Sequence, residues 1–330
     1  MRCFRFIPLF LLLIPAFFSC NKDMNVDANW KDITVVYGLL DQSDDTTFIK
    51  ITKAFLGPGD AMQFAKIPDS SAYPDKLDVR LNEYNGTDSL ASYPCDTITI
   101  HNKKKGDSVF YYPDQLMYYS LVKLNENYSY KLIIKNKKTG KEVTSEKTEL
   151  VHDFTISVPQ VTASFVPGKL FQVKWNPAKN GKRYQLMVRF YYLEYLTSDP
   201  LNKQMKSIDW IVFNNLKTLD AQSTLPYDLY LSGDGFYSAV GGSIKIDPEL
   251  TRVAHHCDFV FSVAASALNT YMEVTEPSLS IVQEKPAYTN ILNGIGLFSA
   301  RYMNSQDSLG ISKVTRDSLK INNHTKYLGF

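Results

Sequence analysis

This 330-residue sequence has almost no net charge, few cysteines, none of the common catalytic signatures and no apolar run long enough for a transmembrane helix. Its 36 Lys and Arg face 34 Asp and Glu, and setting aside residues 1–19, which carry Arg2 and Arg5 and no acid, leaves 34 of each. A nucleic-acid partner is therefore not expected, because phosphate binding draws on an excess of cations gathered on one face. The one basic cluster, "HNKKKGD" at 101–107, reads as an exposed turn. No Cys-x-x-Cys pair, Gly-x-Ser-x-Gly elbow or His-Glu-x-x-His helix occurs, and the glycines at 233, 235, 241 and 242 lack phosphate-loop spacing. The acidic turn "DQSDD" has neither the length nor the terminal glutamate of a calcium loop. Neither catalysis nor a metal or other cofactor is expected.

What is present begins with an address. Arg2 and Arg5 precede an apolar run at 7–18, interrupted by Pro8 and Pro15, which is the charge-then-grease order of an export signal. A spanning helix needs roughly 20 apolar residues, so this run is too short to stay as an anchor. It ends in "FFSCNKD", where Ser19 directly precedes Cys20, and this resembles the lipobox of bacterial lipoproteins. The resemblance implies removal of 1–19 and acylation of Cys20. Acyl chains contribute about 0.8 kcal/mol per buried methylene, enough to hold the protein on a membrane with no helix. Lys22 and Asp23 stand where surface-export signals of Bacteroidetes lipoproteins carry a lysine and acids, and residues 20–30 form the tether. The expected location is the outer membrane, lipid-anchored and facing outward. Cys95 and Cys257 are then the remaining thiols, and the sequence leaves open whether they pair.

Alternation dominates the rest. "DITVVYGLL", "TTFIKITKAFL", "KLDVRLNEY", "DTITI" and "YSYKLIIKN" are short β-rich runs bounded by Gly, Pro, Asn and Asp, and 21 Tyr with 19 Phe suit a half-buried pleated surface. In "LNENYSYKLIIKN", Leu124 lies six residues before Tyr130, the spacing of the tyrosine corner in immunoglobulin-like and fibronectin type III domains. A hairpin turning at Thr139 and Gly140 follows. Further on, Phe171, Val173 and Trp175 alternate, then come an Asn180-Gly181 turn and alternating Tyr184, Leu186, Val188 and Phe190, as in successive strands of a fibronectin-like sandwich with Trp175 in its core. The expected fold is mostly β: two tandem immunoglobulin or fibronectin type III-like β-sandwiches over 31–151 and 152–304. The second carries a loop-rich insertion at 196–246 and a short helix at 266–274, and a frayed tail covers 305–330.

The closing pattern "YTNILNGIGLFSARY", with Thr289, Asn290, Ile291, Gly294, Gly296 and Phe298, resembles the end of a family of Bacteroidetes outer-membrane lipoproteins known only as a domain of unknown function. The opening "ITVVYGLLDQSDDTTFIKITKAFLG" is similar to the start of that family. Because such families are often encoded beside TonB-dependent receptors, the resemblance implies a non-enzymatic binding or accessory subunit for uptake or surface recognition. It supplies no catalytic residues. Triplets of Asp, Ser or Thr, and a methyl-bearing residue resemble Bacteroidetes O-glycosylation sites at Thr46, Ser89, Thr97, Ser108, Ser308 and Ser318.

Candidate ligand contacts are aromatic, since exposed Tyr and Trp anchor peptides or sugar rings at low entropic cost. They are Tyr111 and Tyr112, with Trp210, Phe236 and Tyr237 in the insertion. In "AHHCD" at 254–258, neighbours on a regular strand would point to opposite faces, pairing His255 with Cys257 and His256 with Asp258. That arrangement completes no zinc site, and a strand-entry turn is expected there. Two alternatives to the binding subunit stay open. One is a fimbrillin-like structural or adhesive subunit, whose strand exchange would need proteolysis near Lys50 or Lys53. The other is an envelope hydrolase using the 255–258 cluster or the insertion.

Overall fold

The computed structural model describes residues 31–56, 71–101, 114–218, 225–276 and 287–330. Cys20, the 1–19 signal, the 20–30 tether, Tyr111, Tyr112 and Ser108 lie outside the described residues.

The chain is mostly β. Strands β1 (Lys31–Leu40), β2 (Thr47–Leu56), β6 (Gln115–Ser120) and β5 (Asp96–Ile100) lie in that spatial order. Opposite them run β8 (Glu142–Ser145), β7 (Ser129–Lys135), β3 (Asp78–Asn85) and β4 (Asp88–Pro94), with β9 (Thr148–Glu149) also on β7. Alternation places Val36, Leu40, Ile49 and Ile51 from the first set and Val79, Leu81, Leu132 and Ile134 from the second in one apolar core.

The second half of the chain opens with a three-stranded sheet of β10 (Ile156–Val158), β12 (Leu170–Trp175) and β15 (Tyr227–Ser232). Facing it, β13 (Arg183–Leu196) pairs with β14 (Gln204–Lys217) on one side and with β16 (Leu250–Ala264) on the other. Trp175 is fully buried, stacked on Tyr227 at 4.8 Å between ring centres and 4.9 Å from Phe261. Its alternating neighbours Phe171, Val173, Tyr184, Leu186, Val188 and Phe190 are buried as the sequence predicted. Helices α1 (Asp234–Ser243) and α2 (Ser266–Thr275) flank β16, and α2 matches the expected helix to within one residue.

Two strands near the end of the chain join the halves. β17 (Ile291–Leu292) pairs with β8, and β18 (Gly294–Ile311) pairs in parallel with β1 through residues 294–300 and antiparallel with β16 through residues 301–310. One sheet therefore runs β14-β13-β16-β18-β1-β2-β6-β5 across the expected boundary at 151/152. Residues 291–300, placed by the sequence in the second unit, supply strands to the first. Local alternation marks strands but carries no information about partners so distant in the chain.

Two further expectations are corrected. The described residues of 196–246 are largely regular: β14 is an outer strand whose mostly exposed side chains, apolar and polar alike, blur its period, and "DGFYSAVGGS" is helix α1. Its glycines mark contact, since a Cβ on Gly235 would stand 2.8 Å from the Trp210 ring and one on Gly241 would stand 2.4 Å from the His324 carbonyl. Residues 305–330 are not frayed either. β18 extends to Ile311, Ser312 caps helix α3 (Lys313–Ile321) by accepting from the Thr315 N–H, and Leu319 and Leu328 are buried. Low hydropathy hid this segment, because its buried Thr315, Ser318 and Thr325 are satisfied by hydrogen bonds rather than by apolar contact alone.

The tyrosine corner forms as predicted. The buried Tyr130 phenol accepts from the Asn125 N–H at 2.8 Å and donates to Glu83 Oε1 at 2.7 Å. Tyr130→Phe strands both partners, and we expect a loss of about 1–3 kcal/mol in urea unfolding at unchanged m-value. A loss below about 0.5 kcal/mol would mean water replaces the phenol.

The β1–β18 pairing generates a second prediction. Gly296 has φ of 120°, and a Cβ there would lie 1.9 Å from the Val36 carbonyl oxygen, whereas Gly86, at φ of 58°, has open space around it. Gly296→Ala should therefore cost clearly more than the ~1 kcal/mol expected of Gly86→Ala. Equal melting shifts for the two variants would show that β1 does not lie as close to β18 as described.

Candidate functional site

The halves meet around a cleft of about 640 Å³, within the range of small-ligand sites. One wall comes from the first half: Tyr128 and Ser129 at the start of β7, Glu146 and Lys147 in the β8–β9 turn, and Thr148 and Glu149 in β9. The facing wall is Lys179, Asn180 and Lys182 of the turn before β13, together with Ala265, Ser266 and Ala267 at the start of α2. The segment leading into β17 closes the base with Tyr288 and Asn290.

Several of these side chains are held in place. Asn290 is buried and clamps the loop into β18, its Nδ2 donating to the Phe298 carbonyl at 2.6 Å and its Oδ1 accepting from the Phe298 N–H at 2.9 Å. Asn180, at φ of 65°, donates from Nδ2 to the Leu150 carbonyl, tying the turn of the second half to the end of the first. Ser299 Oγ accepts from the Leu268 N–H in the first turn of α2. Lys147 is drawn to the rim, donating to the Gly86 carbonyl at 2.8 Å with its amine 4.1 Å from the Tyr84 ring centre. Lys179 and Lys182 form no ion pair among the described residues, so the second wall offers cations and the first wall carboxylates. Burial, and then the charge of Glu146, push the Tyr288 phenol above its ordinary pKa, which keeps it protonated as a donor.

The lining residues Glu126 and His152 continue into a charged junction. Glu126 accepts from Gln42 Nε2 at 3.1 Å and from the Asp153 N–H at 3.0 Å, and lies 3.6 Å from His152 Nδ1. Asp41, with its side chain 1 % exposed, accepts from the Ser43 N–H and hydroxyl at 3.0 and 2.6 Å and faces Arg301 Nε at 3.8 Å. Burial raises its pKa, with the Ser43 hydrogen bonds and Arg301 opposing. Tyr302 is pushed up to about 12, by burial first and by Asp153 second.

The aromatic anchors expected in the insertion are corrected. Phe236 and Tyr237 are fully buried, the Tyr237 phenol donating to the Phe165 carbonyl, and the Trp210 ring packs 5.6 Å from Phe165 and 5.9 Å from Phe171. Phe236 and Tyr237 lie on the buried face of α1 and are not free to meet a ligand, whereas Trp210 beside them is half-buried. Among the glycosylation candidates, Ser89 and Ser308 are exposed and Thr46 and Thr97 half-buried, whereas Ser318 is buried beneath α3, beside Tyr237, and inaccessible in the folded chain. Cys95 and Cys257 are buried free thiols, each raised in pKa by burial, Cys95 to about 11. Nothing in the sequence singles out the cleft, because its lining comes from widely separated segments, and the motifs they contain, the tyrosine-corner run, the Asn180-Gly181 turn and the closing pattern around Asn290, each have a local structural meaning.

Compared with known proteins, the chain matches no family model, and no curated sequence is similar to it.

The Asp41 site has a signed pH dependence. The folded state holds the Asp41 proton more tightly than the unfolded chain does, so this residue's contribution is largest at acid pH and falls as pH rises through its raised pKa. Thermal melts of the wild type and Asp41→Asn should show the wild type gaining on the variant as pH drops from 7 toward about 4. A difference independent of pH would show that Asp41 ionises as freely in the folded state as in the unfolded one.

Proposed function

We propose that the protein is a lipid-anchored outer-membrane binding or accessory subunit, held by acylated Cys20 and working beside a TonB-dependent β-barrel receptor. The observation that carries the binding role is the cleft, which is large enough for a few sugar or amino-acid residues. Its polar walls and its two tyrosines, Tyr128 and Tyr288, suit a peptide or glycan segment better than an apolar ligand. The export order around Cys20 and the resemblance to the Bacteroidetes lipoprotein family support the address. A fibronectin-like reading of the second half is supported by β12 and β13 lying in opposite sheets, with the order β10-β12-β15 against β14-β13-β16-β18.

The fimbrillin-like alternative is weakened by the position of its cleavage sites. Lys50 and Lys53 lie inside β2, paired opposite Tyr37 and Thr34 of β1, and a protease needs extended chain that is free of a sheet.

Affinity isolation from mildly solubilised outer membranes, with mass spectrometry of partners and of the N-terminus, tests the address and the partner. We expect acylated Cys20 and a stoichiometric barrel protein, and recovery of an unacylated chain alone would overturn the reading. Peptide and glycan arrays test the cleft. Binding by the wild type should weaken about tenfold or more in Lys182→Glu combined with Tyr288→Ala, since one partner of a charged contact is typically worth more than 1.4 kcal/mol. A wild type that binds nothing on either array would remove the ligand class.

A further inference from the structure

The motif "AHHCD" contains a β-bulge. Along the β13–β16 pairing Tyr191 stands opposite His256 and Tyr192 opposite Ala254, so His255 is the extra residue. A bulge cancels the alternation on which face assignments rest. The two adjacent imidazoles consequently come together, with Nδ1 of His255 2.5 Å from Nδ1 of His256 and ring centres 4.7 Å apart, while Cys257 points inward and is fully buried. The strand-entry turn and the alternate pairings expected from the sequence are both replaced by a histidine pair within a strand.

His256 is not a loose surface side chain. Its ring stacks on Tyr191 at 4.3 Å and 9°. The Tyr191 phenol lies in the field of Asp258 and Arg189, and burial first and Asp258 second raise its pKa. Arg189 makes a two-pronged contact with Asp209 at 2.7 and 2.9 Å, and Asp258 accepts from the Ser308 N–H at 2.8 Å. One imidazole is thus oriented by its surroundings, and its neighbour, His255, is exposed and reachable from solvent.

We propose that His255 and His256 form a solvent-open, two-imidazole site for a divalent transition-metal ion, ligated through Nδ1 of each. A metal–nitrogen bond of ~2.0–2.1 Å separates adjacent ligand nitrogens by ~3 Å, so the rings need to part by only about half an ångström. Without a cation, one Nδ1 must carry a proton to hydrogen-bond the other. With one, both lone pairs are used. Imidazole pairs suit copper, zinc and nickel, with copper(II) bound most strongly. Among the described residues no group of three His, Cys, Asp or Glu is placed to hold a metal, so the remaining positions belong to water or to a donor from outside the described residues. The site therefore fits an exchangeable ion, not a structural one.

The test titrates chelator-washed, untagged protein with copper(II) alone, following heat and the nitrogen hyperfine pattern in electron paramagnetic resonance. One equivalent with a two-nitrogen pattern is expected. His255→Ala and His256→Ala should each weaken it by about tenfold or more, because even outer-sphere partners of a metal ligand are worth 10–100-fold. Without metal, His255→Ala should leave the melting temperature unchanged, since that ring is exposed, whereas His256→Ala also loses the stack on Tyr191 and should lower it slightly. Binding should also weaken in acid, because imidazole must lose its proton to ligate. If the wild type binds copper no more tightly than the double variant, or if either single variant retains full affinity, the proposal is wrong.

Discussion

Parallel pairing between β1 and the first half of β18 is the constraint on which the rest of the molecule depends. It brings strands from opposite ends of the chain into register, from Thr34 opposite Gly294 to Leu40 opposite Ala300. The same β18 then continues, with no break in the strand, into antiparallel pairing with β16. Its first half reads as a continuous buried run, Gly296 to Ala300, rather than an alternating one, because α2 covers the face that the first-half core does not. Three polar contacts fix the entry: both arms of Asn290 on Phe298, and the Thr148 hydroxyl donating to the Phe298 carbonyl. A parallel pair between segments so far apart costs loop-closure entropy and forms late, so local features that fix its register matter more here than in a hairpin.

Phenol hydroxyls close the places where backbone groups would otherwise be buried without partners. Tyr118 accepts from the Leu77 N–H at 2.9 Å, Tyr130 from Asn125 at 2.8 Å and Tyr184 from Ala178 at 2.7 Å, while Tyr237 donates to the Phe165 carbonyl. All four rings are at most 1 % exposed. Each contributes a large apolar body to the core and, at its far end, a hydrogen bond to the backbone that a phenylalanine cannot supply. In each case the bonded backbone group lies in a connecting segment beside a strand or helix, where no ladder would otherwise satisfy it. The abundance of tyrosine in the sequence follows from this use as much as from strand preference.

These two features explain what could and could not be read from the sequence. Short-range signals transferred well. The Leu124–Tyr130 spacing gave the corner, alternation from Phe171 to Phe190 gave buried faces in two opposed strands, and the α2 helix began at Ser266 as expected. Long-range features did not, because no residue announces its distant partner: the role of β18 in both halves rests on Gly296 and Asn290, which looked like ordinary turn residues. Elements whose buried side chains are polar were missed as well, α3 being the clearest case. The His255 bulge was invisible because face assignment presumes unbroken alternation, and one extra residue reverses it. The cleft is the extreme case, assembled from pieces that acquire a meaning together only after β18 has aligned the halves.

That assembly has a mechanical consequence. The cleft walls are Lys179, Asn180 and Lys182 on one side and Glu146 to Glu149 on the other, and polar ties join the halves nearby: Asn180 Nδ2 to the Leu150 carbonyl, and the Asp153 N–H to Glu126. Any occupant touching both walls adds to those ties and stabilises the aligned arrangement by mass action, by ~2.7 kcal/mol at a hundred times its dissociation constant. The same linkage acts in reverse, since whatever loosens β18 from β1 lowers affinity at the cleft. For an occupant that touches both walls, affinity and junction stability would therefore be one coupled quantity. The buried Asp41–Arg301 contact, lying where β1 ends and β18 passes from one half to the other, is where acidity would enter that coupling.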